Sequence, residues 1–219
     1  MIRAPGRSKL MGSELLIACA LKKETSALRR RLGLDCQFLV TGIGARRTRQ
    51  SLRKHFESQI PSLFIFTGTA GQLDPALGIG DVVLPEEWCL EDGSCFSVDA
   101  GIVSALRDSD KVKISGRGLT VSTPVVRSQS RSALYKKHGA QICDMESAVA
   151  LELAHSYSVP CLAPKIVSDT AGSGLSAFWK SFDRNMEVLA RYVEDLMNCL
   201  HHKGTGRKST TETRKRLPS

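Results

Sequence analysis

Apolar and polar positions along the 219-residue chain fall into two kinds of run. Short, nearly unbroken apolar stretches read as buried strands: "ELLIACAL" (Glu14–Leu21), "QFLVTG" (37–42), "LFIFTG" (63–68), "DVVLP" (81–85) and "VPCLAPKIVSD" (159–169), with two or three further short strands in 88–122. Between them lie segments of helical period. These are "KKETSALRRRLG", stopped at Gly33, the basic "ARRTRQSLRKHFES" from Ala45, stretches near "AGIVSALRD" and "SRSALYKKHG", then 145–157 and 176–200. Strands alternating with helices across Gly-rich turns predict the α/β class, with a mainly parallel, partly mixed sheet between helical layers. Pro164 would delete a ladder hydrogen bond inside the last strand, which predicts a bulge or a frayed edge there. No internal repeat is visible.

One helix start breaks the pattern. In "DMESAVALELA" (Asp144–Ala154), Glu146 falls on the same helical stripe as Val149, Ala150 and Leu153. The plain reading makes Asp144 a cap and Glu146 a first-turn acid favoured by the helix dipole. The sharper one turns Glu146 toward a pocket, because a buried carboxylate needs specific partners. Other chemistry-bearing residues fall at strand ends, where ligands gather in open α/β sheets: Glu24, the "GIG" turn (Gly42–Gly44), "TGTAG" (67–71) and "SDTAG" (168–172).

Composition narrows the class. Hydrophobic residues make up 42% and charged ones 24%, ordinary for a globular chain of one sizeable domain. No apolar run approaches the ~20 residues of a membrane span and no secretory leader is evident, so a cytoplasmic location is expected. The net charge of +9 is concentrated at the ends. Arg3, Arg7 and Lys9, with six Lys and Arg against Glu212 in 203–219, leave the body nearly neutral. Residues 1–13 and 201–219 therefore read as disordered basic extensions flanking a domain at 14–200, and nucleic-acid binding is not expected of the body. Met11 offers a second candidate start. The seven cysteines lack a CxxC spacing and read as reduced, mostly buried thiols. No histidine spacing suggests a metal, and no cofactor motif is present.

The ordered set "ALKKE", "TGIG", "TGTAGQLDPALGIGDVV", "DMES" and "VSDTAG" resembles the nucleoside phosphorylase and nucleosidase superfamily over about residues 14–200. The likeness is strongest to its methylthioadenosine/S-adenosylhomocysteine nucleosidase branch. It implies a three-layer α/β/α sandwich around a mixed, mainly parallel sheet, and cleavage of the ribosyl C–N bond of a purine nucleoside, with a 5′-substituted adenine nucleoside as the expected small-molecule substrate. By this resemblance Asp169, held protonated by burial or by the bound ring and oriented by Ser168, would donate a hydrogen bond or proton to N7 of the base. Glu24 would activate water, Glu146 would clasp the ribose hydroxyls and Met145 would pack on the sugar. Thr69, Ala70 and Gly71 would let backbone approach the base, and Val126 would stand near the place of a ring that stacks on it. A homo-oligomer is also implied.

Each role has a plainer counterpart: Asp169 a turn cap, Glu24 a first-turn helix acid, Thr69–Gly71 a tight turn. Phe66 stands where phosphorylases of the superfamily carry a phosphate-binding arginine, which favours water over phosphate; Arg46, Arg47 and Arg49 are the alternative phosphate ligands. Likeness to the hopanoid-associated phosphorylase branch keeps phosphorolysis as the alternative. Departures at Lys22, Lys23, Val126, Lys165 and Gly172 leave a catalytically silent nucleoside binder as the rival from another class.

Overall fold

The structure, a computed structural model, describes residues 15–33, 36–106, 109, 112, 114, 116–171 and 174–204. The basic extension expected at 1–13 and the tail beyond Gly204 lie outside the described residues, as does Gly172; the last helix runs past 200 to Gly204. Among the described residues are eleven strands and six helices; most follow the apolar pattern, but Gly68–Gln72 is a strand rather than a tight turn, Ile142–Asp144 is a strand the pattern did not predict, and five strands between Leu63 and Ser97 follow one another without a helix.

The first sheet holds β1 (Leu15–Cys19), β2 (Gln37–Val40), β3 (Leu63–Phe66) and β10 (Cys161–Leu162), in the order β10-β3-β1-β2 and all parallel. The second holds β4 (Gly68–Gln72), β5 (Val82–Val83), β6 (Glu87–Leu90), β7 (Cys95–Ser97), β8 (Arg117–Thr120), β9 (Ile142–Asp144) and β11 (Lys165–Asp169), in the order β5-β11-β4-β9-β8-β6-β7. Its ladder is mixed: β11–β4, β6–β8 and β8–β9 are parallel, while β11–β5, β4–β9 and β6–β7 are antiparallel.

Pro164 explains the division. It interrupts the expected strand 159–169, so that β10 pairs with β3 in one sheet and β11 pairs with β4 in the other. The neighbouring chain turns at the matching place, between Phe66 and Gly68, and Thr67 Oγ1 donates to the Pro164 carbonyl at 2.8 Å across the corner. A bulge does occur, but farther along, where the β11–β4 register shifts between Val167 and Asp169.

Helices cover both faces. On one side α1 (Lys22–Leu32), α3 (Ala100–Leu106) and α6 (Gly174–Gly204) enclose a core that includes Leu15, Ile17, Leu28 and Ile65. Phe182, Met186, Leu189, Val193 and Leu196 on α6 supply its inner stripe at three- and four-residue spacing. On the other side α2 (Ala45–Ser58) and α5 (Ser147–Ser156) pack over Leu16, Ala18, Phe64 and Phe66. Thr48, Leu52 and Phe56 form the buried stripe of α2; the Phe56 ring meets Phe64 and Tyr157 edge-on at 5.5 and 5.4 Å. Burying one such ring contributes about 1.5–3 kcal/mol. The remaining helix, α4 (Ser128–His138), lies between β8 and β9 in the chain.

The cysteines need one correction. Cys89 and Cys95 are joined by a disulfide rather than both being thiols. They face each other across the β6–β7 hairpin, whose turn closes through Gly93. A spacing rule does not reveal such a pair, because it is the hairpin register that sets the two sulfurs opposite. The other five are free thiols, with Cys19, Cys36, Cys143 and Cys161 buried; burial pushes Cys143 and Cys161 up to about 12.

Candidate active site

Glu24 is in the first turn of α1 and is only 2% exposed. Its Oε2 accepts the Leu21 N–H at 3.1 Å, the return half of a capping box; Leu21 has no side-chain oxygen to complete it. Oε1 reaches across to β4 and accepts from Thr69 N at 3.0 Å and Thr69 Oγ1 at 2.9 Å. This carboxylate is therefore a first-turn helix acid that also reaches across to β4. Gly68 makes the reach possible: a Cβ there would stand 2.9 Å from Glu24 Oε1, on a backbone with φ of +145°. Burial raises the Glu24 pKa above its ordinary value, against the pull of Lys165 and the three hydrogen bonds.

Asp144, not Glu146, caps α5. It accepts from the backbone N–H of Glu146 and Ser147 and from Thr120 Oγ1 at 2.8 Å. Relieved of that task, Glu146 stands at the N-cap position with its side chain turned inward, 6% exposed. Its Oε1 accepts the Gly44 N–H at 2.6 Å, at the start of α2, and Oε2 the Met145 N–H at 3.3 Å. The positive φ of Gly42 and Gly44 folds the "GIG" turn so that this N–H points at the carboxylate. Burial first, then the nearby Asp144 charge, pushes Glu146 up to about 7.

Lys165 binds these acids together. Its Nζ lies 3.1 Å from Asp144 Oδ2, both side chains being 2% exposed, and 4.2 Å above the Phe66 ring centre. Glu24 and Glu146 both sense its charge. The sequence marks Lys165 only as a departure from the family pattern; apolar neighbours on both sides were the available signal that it is buried.

Asp169 ends β11 opposite Gly71 of β4. The Ser168 hydroxyl lies 2.8 Å from Asp169 Oδ1 and 3.2 Å from the Ala70 carbonyl and can donate to one at a time. The other carboxylate oxygen, Oδ2, forms an ion pair with Arg131 of α4. Sequence reasoning passed over Arg131, one basic residue among several in a helix of little amphipathicity. The structure buries it and gives the Asp169 carboxyl a guanidinium partner that the sequence did not suggest.

Thr69 and Gly71 project from the same face of β4, about 7 Å apart at two residues' rise, so Glu24 and Asp169 meet one strand at successive positions on that face. Ala70 faces the core. Met145 packs against a small buried cluster that includes Leu73 and Cys143. Val126 is not brought in; it is 73% exposed, whereas Val125 packs against the Met145 cluster and accepts from Arg131 Nε through its carbonyl. Two wide surface clefts, of about 910 and 660 Å3, are lined by none of Glu24, Glu146 and Asp169.

Three basic groups near the site are paired. Arg49 pairs with Glu152 at 2.7 Å, Arg131 with Asp169 and Lys165 with Asp144. Arg46 and Arg47 are exposed, and Phe66 is fully buried. Among the described residues, the one cluster of ligand-bearing groups is Glu87, Cys89 and Cys95, whose two sulfurs are bonded to each other. No described helix is long and apolar enough to cross a membrane.

The profile of a family described as the phosphorylase superfamily matches residues 34–201. Among solved structures, the fold is similar to that of the 5′-methylthioadenosine/S-adenosylhomocysteine nucleosidase of Helicobacter pylori, at 13% identity and a TM-score of 0.76, over 86% of this chain and 99% of that one. It is similar also to the futalosine hydrolase of Helicobacter pylori (13%, TM-score 0.77, covering 84% and 98%) and to the Campylobacter jejuni 5′-methylthioadenosine/S-adenosylhomocysteine nucleosidase (18%, TM-score 0.72, covering 85% and 99%). At these identities the likeness is one of fold.

Proposed function

The chain belongs to the phosphorylase superfamily, and from that premise we propose that it is a nucleosidase, using water to break the ribosyl C–N bond of a purine nucleoside. The observation that carries this reading is the meeting of acids from separate elements: Glu24 and Asp169 on one face of β4, and Glu146 joined to Glu24 through the charge of Lys165. Glu24 is the base that takes a proton from the attacking water. Its raised pKa suits proton acceptance, and Thr69 and Leu21 fix its orientation. Glu146, once ionised, accepts from the ribose hydroxyls beside Met145. The base departs toward Asp169, Ser168 and the open face of Gly71.

Charge favours water over phosphate. Four carboxylates (Glu24, Asp144, Glu146 and Asp169) face two buried cations, each already paired. A phosphate dianion would have to compete for those paired cations or draw on Arg46 and Arg47, which lie exposed at the start of α2. The fold relatives that carry the names nucleosidase and hydrolase support the same choice.

The test is a panel of purine nucleosides, with and without 5′ substituents, incubated with purified protein in the presence and absence of phosphate. Chromatography separates ribose from ribose 1-phosphate. Free ribose formed without phosphate is the expected product. A strict phosphate requirement would make the protein a phosphorylase, and no release from any nucleoside would make it a binding protein.

A further inference from the structure

We propose that the β6–β7 hairpin is a redox-gated zinc site: when the Cys89–Cys95 disulfide is reduced, the two thiolates and the Glu87 carboxylate hold one zinc ion, and re-oxidation releases it. This goes beyond the nucleosidase reading and is independent of it, because β6 lies three strands from β4 in the second sheet, about 14 Å away.

The hairpin register assembles the donors. Glu87 lies opposite Ser97, Trp88 opposite Phe96 and Cys89 opposite Cys95. Side chains alternate along a strand, so Glu87, Cys89, Cys95 and Ser97 share one face, while Trp88 and Phe96 turn to the other and join the core there. Backbone hydrogen bonds from Leu90 to Ser94 and from Val98 to Glu86 set the phase of the ladder. Cys89 and Cys95 are therefore a non-hydrogen-bonded pair, the kind whose side chains stand closest, and their Cα atoms are 4.0 Å apart. The two Sγ atoms and a Glu87 oxygen all lie within 4.8 Å of one another.

That spacing suits zinc. Tetrahedral bonds of about 2.3 Å to sulfur and 2.0–2.2 Å to oxygen put the ligand atoms roughly 3.5–3.8 Å apart. Once the bond between them is broken, the sulfurs reach such a separation by rotation about χ1 of Cys95, which is exposed. Two thiolates make the donor set soft, favouring zinc over magnesium or calcium. The carboxylate is already oriented: Arg117 Nε and Nη2 both donate to Glu87 Oε1, at 2.8 and 2.6 Å, which leaves Oε2 for the metal. Charge closes as well, since a divalent cation together with Arg117 balances two thiolates and one carboxylate. The 910 Å3 cleft, lined by Glu87, Ser97 and Arg117, gives the ion a way in and a water for its fourth position.

The gating follows from the electron count. A dithiol reductant supplies two electrons and two protons, itself closing to a disulfide, and the Cys89–Cys95 bond becomes two thiols. Zinc displaces both thiol protons to solvent as it binds. In reverse, a small-molecule disulfide takes two electrons from the paired thiolates and becomes two thiolates itself. The Cys89–Cys95 bond re-forms, and the ion leaves because bonded sulfurs are no longer anionic ligands.

The experiment compares the two redox states of the full chain. Protein reduced with a dithiol, then freed of it under inert gas, is titrated with zinc against a chromophoric chelator. A parallel titration uses cobalt(II), whose sulfur-to-metal charge-transfer band reports thiolate ligation. The reduced protein should bind one equivalent and the oxidised protein none. Cys95→Ser should lose the band, and Glu87→Gln should weaken zinc by at least about tenfold. Alkylation read by mass spectrometry needs no variant, and zinc should shield Cys95 in the reduced wild type. Absence of binding or of shielding in the reduced protein would overturn the proposal, as would equal binding by the oxidised form. So would a band that persists in Cys95→Ser, which would place the metal on other thiols, or wild-type affinity in Glu87→Gln.

Discussion

Replacing Glu146 with Gln removes a buried titrating group while leaving an oxygen to accept the Gly44 N–H. In the folded protein this carboxyl is pushed from an ordinary 4.5 to about 7, chiefly by burial. Between those two pH values the folded state holds a proton that the unfolded chain has released. Wild-type stability therefore falls as pH rises through that window and levels off above it. At roughly 1.4 kcal/mol per pH decade, the total is about 3 kcal/mol. The substituted amide cannot titrate, so Glu146→Gln should gain on wild type by about 3 kcal/mol between pH 4.5 and about pH 8, or roughly 6–12 °C in Tm for a domain of this size. Any change in contacts with Met145 adds an offset that does not depend on pH. Urea unfolding of both proteins at half-unit pH steps measures the difference directly. If it stays constant within about 1 kcal/mol across the range, Glu146 does not titrate as a buried acid, and the reasoning about its environment is wrong.

Three further outcomes are expected. Lys165→Met leaves Asp144 buried without its cation and should cost about 3–5 kcal/mol, read by urea unfolding; a loss below about 1 kcal/mol would show that the pair is not closed to solvent. Glu24→Gln should slow nucleoside hydrolysis by about 10²–10⁴-fold in a base-release assay while circular dichroism remains that of the wild type; near-normal turnover would remove Glu24 from the reaction. Thiol titration in denaturant without reductant should find five reactive cysteines, rising to seven after reduction; seven at the outset would contradict the Cys89–Cys95 bond.

Much of the fold was legible because burial on both faces writes continuous apolar runs. "LLIAC" and "LFIF" are strands wherever they pack, and the Thr48, Leu52, Phe56 stripe fixes the inner face of α2. The division into two sheets was not legible. Pro164 signalled an interruption, but where each half pairs depends on partners distant in the chain. For the site, glycines and acids at strand ends carried the signal, and Glu24 and Glu146 do lie inward. Arg131 carried none: on α4 the pattern does not separate a buried arginine from a solvated one, and only the position of Asp169 on another element gives it a partner. Val126 failed for the opposite reason. A one-residue difference along an irregular loop decides which of two valines turns inward, and periodicity says nothing in a loop.

The corner where Thr67 is fastened to the Pro164 carbonyl has a mechanical corollary. Gly68, Thr69 and Lys165 leave it within two residues, so β4 and β11 behave as a single bracket rooted at one joint. Any movement of one sheet against the other would carry that bracket as a block, with the spacing between Gly71 and Asp169 preserved. Glu24 rides on α1 after β1 of the opposite sheet, and it is the distance from Glu24 to this block that such motion opens or shuts. Closure around a sugar would then change the reach of Glu24, the proposed base, while the spacing between Gly71 and Asp169 stays as it is.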